Sequence, residues 1–121
     1  MINGLRTTVY PVGDLVKAKA WFTEVFSKAP YFDEPFYVGY EIGGFELGLV
    51  PDGTPGTSGA TVYWGVDDID AEVARIVAMG ATVRTAVQDV GGGIRVVDLQ
   101  DPFGNLLGLI YNPNFDLAKV R

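Results

Sequence analysis

The chain contains neither cysteine nor histidine. Without cysteine there is no disulfide, no thiolate metal ligand and no thiol nucleophile. Without histidine the commonest transition-metal ligand and the commonest general base near neutral pH are both missing, and a Ser-His-Asp triad cannot be assembled. Positive charge is scarce: nine Lys and Arg stand against fifteen Asp and Glu, for a formal net charge of −6. A phosphate backbone would be repelled, so no nucleic-acid partner is expected, while a cationic ligand would be attracted. No apolar run approaches the roughly 20 residues needed to cross a bilayer, so no membrane partner is expected. The opening segment MINGLRTTVYPVGD has one arginine and an alternating pattern, not the basic start and apolar stretch of a secretory leader. With the missing cysteines, this predicts a cytoplasmic protein.

What is present fits one soluble domain over residues 1–121. Hydrophobic residues make up 48% and charged residues 20%, a globular balance at a length that can enclose a core. Leu5 to Tyr10 alternates and reads as a strand. Asp14 is a helix N-cap, and Leu15, Ala18, Phe22, Val25 and Phe26 then recur at helical spacing, with Pro30 preventing continuation. Tyr31 to Pro51 breaks into short strands, clearest at Phe36–Ile42 and Phe45–Val50, with Gly43-Gly44 as a two-residue hairpin turn. The segment 52–59 (DGTPGTSG) reads as a linker. The pattern then restarts. Thr61–Val66 is a strand, and Asp68 caps a helix whose buried face is Ile69, Val73, Ile76 and Val77, with Gly80 just past its end. Strands follow at Thr82–Val87, Ile94–Leu99 and Asn105–Tyr111.

Two βαβββ modules, at about residues 5–51 and 60–113, are therefore expected. Asp14 maps onto Asp68 with an offset of 54, and Phe45–Leu49 maps onto Leu107–Tyr111 with an offset of 62. A ferredoxin-like split βαβ domain has two strands per helix, whereas three follow each helix here.

Val9-Tyr10-Pro11-Val12-Gly13-Asp14-Leu15, Ala20-Trp21-Phe22 and Val66-Asp67-Asp68-Ile69-Asp70 resemble the module starts of the vicinal-oxygen-chelate superfamily, the glyoxalase, bleomycin resistance and extradiol dioxygenase fold. Asp98-Leu99-Gln100-Asp101-Pro102-Phe103-Gly104-Asn105 is similar to its aspartate-proline-x-glycine turn before the last strand. The resemblance runs over about residues 4–113. It implies an α+β fold, with two βαβββ modules forming a cup-shaped mixed sheet and helices on the outer face. It also implies a ligand in the cup and a homodimer.

In metal-using relatives, one residue on the first and one on the last strand of each module ligates the metal. By the offsets above, these positions are Thr7, Glu46, Thr61 and Gly108. Only Glu46 is a normal charged ligand; hydroxyls are poor donors to zinc, nickel or iron, and a catalytic site needs about three protein ligands. No metal and no cofactor is therefore expected. A weak oxygen site combining Glu46 with Glu41 or Asp98 is the remaining metal possibility.

Alternation adds Val9, Tyr63, Gly48, Ile110 and Val97 to the cup face and sends Thr8, Tyr10, Val62, Trp64 and Leu47 toward the helices. Tyr31, Phe32, Phe36, Tyr37 and Tyr40 offer a stacking wall for a planar ligand, or ordinary strand packing. Thr7, Val9, Tyr37, Glu46, Gly48, Thr61, Tyr63, Gly108 and Ile110 are the expected ligand-binding residues. Glu46 is also the one catalytic candidate, as a general base, though it could instead be a strand glutamate at the cup's edge, solvated or paired with Arg95. Desolvation in an apolar cup is expected to raise its pKa. Arg84 and Arg95 read as exposed strand charges, and Trp21 as core filling.

The favoured function is metal-independent sequestration of a flat or cationic small molecule, as the resemblance to drug-resistance proteins implies. The alternatives are a lyase, isomerase or dioxygenase that uses Glu46, and an interaction module without a small ligand.

Overall fold

The computed structural model describes Met1 and residues 3–120. The first module comprises β1 (Thr7–Pro11), α1 (Leu15–Phe26), β2 (Phe32–Glu34), β3 (Tyr37–Ile42) and β4 (Phe45–Val50). The second comprises β5 (Tyr63–Gly65), α2 (Ile69–Ala78), β6 (Thr82–Asp89), β7 (Arg95–Gln100) and β8 (Leu106–Tyr111), followed by a 3-10 turn at Leu117–Lys119. The two sheets have the orders β1-β4-β3-β2 and β5-β8-β7-β6. In each, the first strand runs parallel to the last and the remaining pairs are antiparallel. This is an α+β fold of two βαβββ modules, as the sequence leads one to expect. The chain divides into two compact units, Met1–Gly56 with Phe103–Asn105, and Thr57–Pro102 with Leu106–Arg121.

In the first unit, the Asp14 carboxylate accepts the Lys17 N–H at 3.0 Å and fixes the start of α1. Ser27 ends the helix in the left-handed region at φ 51°, and the Lys28 N–H closes back on the Thr23 carbonyl at 3.2 Å. Ala18, Phe22 and Val25 lie four and three residues apart on one face and are buried. Val38, Tyr40, Leu47 and Leu49 of β3 and β4, the strands beneath α1, are buried too. Phe22 is central, with ring centroids 6.0 Å from Tyr10, 4.9 Å from Trp21 and 6.1 Å from Phe103. Trp21 is half-buried, edge-on to Phe22 and Phe103, and so lies at the margin of the core instead of filling it. Gly43 and Gly44, at φ +59° and +90°, make the two-residue turn between β3 and β4.

Asn105 closes the first unit. It is buried; its Nδ2 donates to the Pro11 carbonyl at 2.7 Å and its Oδ1 accepts the Gly56 N–H at 3.1 Å. Asn105→Ala strands both backbone groups, and we expect a stability loss of about 2 kcal/mol, read as a lower urea midpoint at unchanged slope.

In the second unit, the Asp68 carboxylate accepts the Ala71 N–H at 3.1 Å. Asp70 and Glu72 in the first turn of α2 and Arg75 in the last complement the helix dipole. Gly80, at φ +108°, lets the chain leave the helix, with the Ala81 N–H bonded to the Ile76 carbonyl at 3.3 Å. Ile69 and Ile76 are buried and Val73 half-buried, but Val77 is exposed, so the apolar stripe is narrower than the periodicity predicts. Among the described residues, no helix is long and apolar enough to cross a membrane.

Candidate functional site

One face of the first sheet is buried, and the other is open. Thr7 pairs with Glu46, Val9 with Gly48, and Gly39 with Gly48, which puts these residues on one side. Residues of the other parity, Tyr10, Val38, Tyr40, Leu47 and Leu49, are buried. Tyr40 therefore leaves the expected aromatic wall. Its hydroxyl donates to the Lys19 carbonyl at 2.9 Å and bonds Thr23 Oγ1 at 2.8 Å.

On the open face, the adjacent glycines of β3 and β4 form a flat floor. A Cβ on Gly39 would lie 3.1 Å from Tyr37 Cε1 and 3.4 Å from Tyr31 Cε1, and one on Gly48 would lie 2.8 Å from Tyr37 Cε2. Two phenol rings thus lie where side chains would otherwise stand. Their hydroxyls converge on one group: Tyr31 donates to Glu46 Oε1 and Tyr37 to Glu46 Oε2. Tyr37 is half-buried and Tyr31 is exposed. Phe32 packs edge-on at 6.0 Å from Tyr37 and 6.1 Å from Phe36. Thr7 and Val9 are exposed beside this cluster.

The phenols hold the Glu46 carboxyl below its ordinary range, Tyr31 having the larger effect; burial works in the opposite direction and is outweighed. This corrects the expectation that desolvation raises it. Two donors stabilise the anion, so Glu46 contributes stability in full above its ordinary pKa, and that contribution is lost as pH falls through the lowered value. The reverse holds for Tyr37. Burial, then its bond to Glu46 and the Glu46 charge, push the phenol up to about 12. Its contribution is full below pH 10 and is lost as pH rises through about 12. A Cζ NMR titration is expected to find Tyr37 ionising at about pH 12. In Gly48→Ala the new methyl lifts the ring off the floor, and the midpoint should fall back toward 10. An unchanged midpoint in that variant would show that the glycine does not seat the ring.

Other carboxylates are engaged elsewhere. Glu41, opposite Glu46, bonds Lys28 and accepts the Gly44 N–H at 2.6 Å. Arg95 is half-buried, not exposed, and meets Asp70 through both terminal nitrogens at 3.0 and 3.1 Å, so it is not the partner of Glu46. Arg84 is exposed.

In the second unit, Tyr63 pairs with Gly108 and Gly65 with Ile110. With Asp14 and Asp68 superposed, this register matches Val9–Gly48 with Tyr63–Gly108, so the last strands correspond with an offset of 60, not 62. The counterpart of Glu46 is then Leu106, and Gly108 is the counterpart of Gly48. Thr61 lies before β5 and is exposed. Val97 also departs from expectation: it pairs with Leu109 and is buried, and Asp98, paired with Gly108, takes its place on the open face. Val97, Leu99, Leu107 and Leu109 alternate inward along their strands, so the residues between them must face outward.

These donors do not fit a transition metal. Thr7, Glu46, Thr61 and either Gly108 or Leu106 supply one carboxylate, short of the roughly three protein ligands that a catalytic metal site needs. Among the described residues, no group of three Asp or Glu lies close enough to hold an ion. Sequence reasoning included Tyr37 and Glu46 but left out Tyr31 as a partner of Glu46. Its available signal was the pair of strand-interior glycines, which mark a close approach.

No curated relative matches the chain by sequence. The chain resembles several solved structures. It aligns with lactoylglutathione lyase from Agrobacterium tumefaciens at a TM-score of 0.78 and 20% identity, over 96% of this chain and 100% of that one. For a genomically encoded fosfomycin resistance protein from Listeria monocytogenes the values are 0.75 and 19%, with both chains covered in full. For a glyoxalase/bleomycin resistance protein/dioxygenase family enzyme from Burkholderia phytofirmans they are 0.74 and 20%, over 87% and 95%. At such identities the likeness is one of fold. The sequence profile of the Glyoxalase/Bleomycin resistance protein/Dioxygenase superfamily matches residues 4–109. The chain belongs to that superfamily.

Proposed function

We propose that this protein binds a small, flat or cationic organic molecule without a metal, with Glu46 as the anchor. The observation that carries the reading is the carboxylate fixed by Tyr31 and Tyr37 above the Gly39–Gly48 floor. A charged group flanked by aromatic faces suits an organic cation, through ion pairing and cation–π attraction. Thr7, Val9 and Gly48 border it on the same face. Thr61, Tyr63, Gly108 and Ile110 belong to the second unit and add their own surface to the proposal. The net charge of −6 favours the approach of a cation. A lyase, isomerase or dioxygenase that used Glu46 as base would need basicity that the two phenol bonds remove. The proposal includes a cytoplasmic homodimer; exposed Phe32 and Phe36 supply apolar surface that a second copy would cover.

The test is calorimetric titration with benzamidinium, and with neutral benzamide as its isostere, in the presence of a chelator. Binding of the cation with at least about tenfold preference over the amide is expected. Equal binding of both, or binding that needs an added metal, would overturn the reading.

A further inference from the structure

The second unit repeats one device of the first with different residues. A Cβ on Gly108 would lie 2.6 Å from Tyr63 Cδ1 and 2.9 Å from Tyr63 Cε1, so the Tyr63 ring lies over a glycine as Tyr37 lies over Gly48. Burial first, and then the neighbouring Asp98 carboxylate, raise the Tyr63 phenol's pKa; Asp98 lies on β7 with Gly108 as its register partner. There the likeness ends. Both Glu46 oxygens have donors, but Asp98 Oδ1 has no hydrogen-bond partner among the described residues and is closed off from solvent. A buried carboxylate oxygen without a donor is costly, and such a group calls for an explanation.

The strand beside it is irregular. β6 slips register between Val83 and Thr85 and again between Thr85 and Gln88, so the bulges flank Thr85, the residue opposite Asp98. Bulges gather at sheet edges and beside functional sites, where they re-aim side chains. The cover is loosely held: Tyr63 is 40% exposed and comes from a strand of three residues.

We infer that the second unit holds its own ligand site, in which Asp98 receives the paired N–H donors of a small amidinium or guanidinium group when Tyr63 swings off Gly108. Two parallel N–H donors match the two oxygens of a carboxylate, and the second of them satisfies Oδ1. The missing donor in the free protein is then the cost of keeping the site ready. The inference rests on residues of the second unit alone and stands whether or not Glu46 binds a cation.

The experiment removes the first site and looks for the second. The Glu46→Gln protein is titrated with benzamidinium, followed by backbone amide NMR. Saturable shifts at Tyr63, Asp98 and Gly108 are expected. Adding Asp98→Asn should weaken them on the order of thirtyfold and raise the melting temperature, because a charge with one buried, donorless oxygen has been neutralised. Adding Tyr63→Phe should tighten binding, because the phenol no longer competes for Asp98. Absence of shifts at those amides would overturn the inference. So would shifts that survive Asp98→Asn, or an Asp98→Asn variant that melts lower while Tyr63→Phe leaves binding unchanged, since that pattern belongs to a purely structural carboxylate.

Discussion

Glu46→Gln is expected to weaken benzamidinium binding at the first site by about thirtyfold or more, while leaving the fold intact. The substitution keeps the shape and one acceptor oxygen but removes the charge. Breaking a partly buried charge-assisted pair costs about 2–5 kcal/mol of binding, largely through the dissociation rate. It also replaces the acceptor of one phenol with an amide NH2, so Tyr31 and Tyr37 can no longer both donate. Neutral benzamide should bind the variant and the wild type alike. A cation affinity within about twofold of wild type would remove Glu46 from the site.

Phe22→Ala should cost the fold about 3–5 kcal/mol, the largest loss expected from one substitution in α1. Phe22 is fully buried, and its ring touches those of Tyr10, Trp21, Phe26 and Phe103. None of the four can collapse into the space without leaving its own contacts, so a cavity remains. Total stabilities of about 5–15 kcal/mol make this a large fraction. Chemical denaturation at 25 °C measures it. A loss below about 1 kcal/mol would mean that the aromatic cluster repacks freely.

The fold was legible because its signals are local. Asp14 and Asp68 cap helices within three residues of themselves, and Gly43-Gly44 turns two strands that lie beside it. The buried parity of Tyr10 and Leu47 follows from alternation alone. The site was less legible because its contacts are not local. Tyr31 reaches Glu46 across fifteen residues, and it does so only because Gly39 and Gly48 fall opposite each other when β3 and β4 pair. Matching the modules by residue type favoured Glu46 with Gly108; hydrogen-bond register matches Gly48 with Gly108. Val97 and Asp98 exchanged faces for the same reason: β7 begins at Arg95, and its pairing with β8 sets the parity. The pKa of Glu46 needed the two phenols, which no spacing rule announces.

The central claim is that Glu46 is an anchor for an organic cation and not a metal ligand. The most direct measurement is a crystal structure grown with benzamidinium and equimolar zinc together. The account predicts the amidinium seated on the Glu46 carboxylate, with Tyr31 displaced and Tyr37 still lying over Gly48. Zinc bound to Glu46, with the amidinium absent from that face and both phenols released, would contradict it.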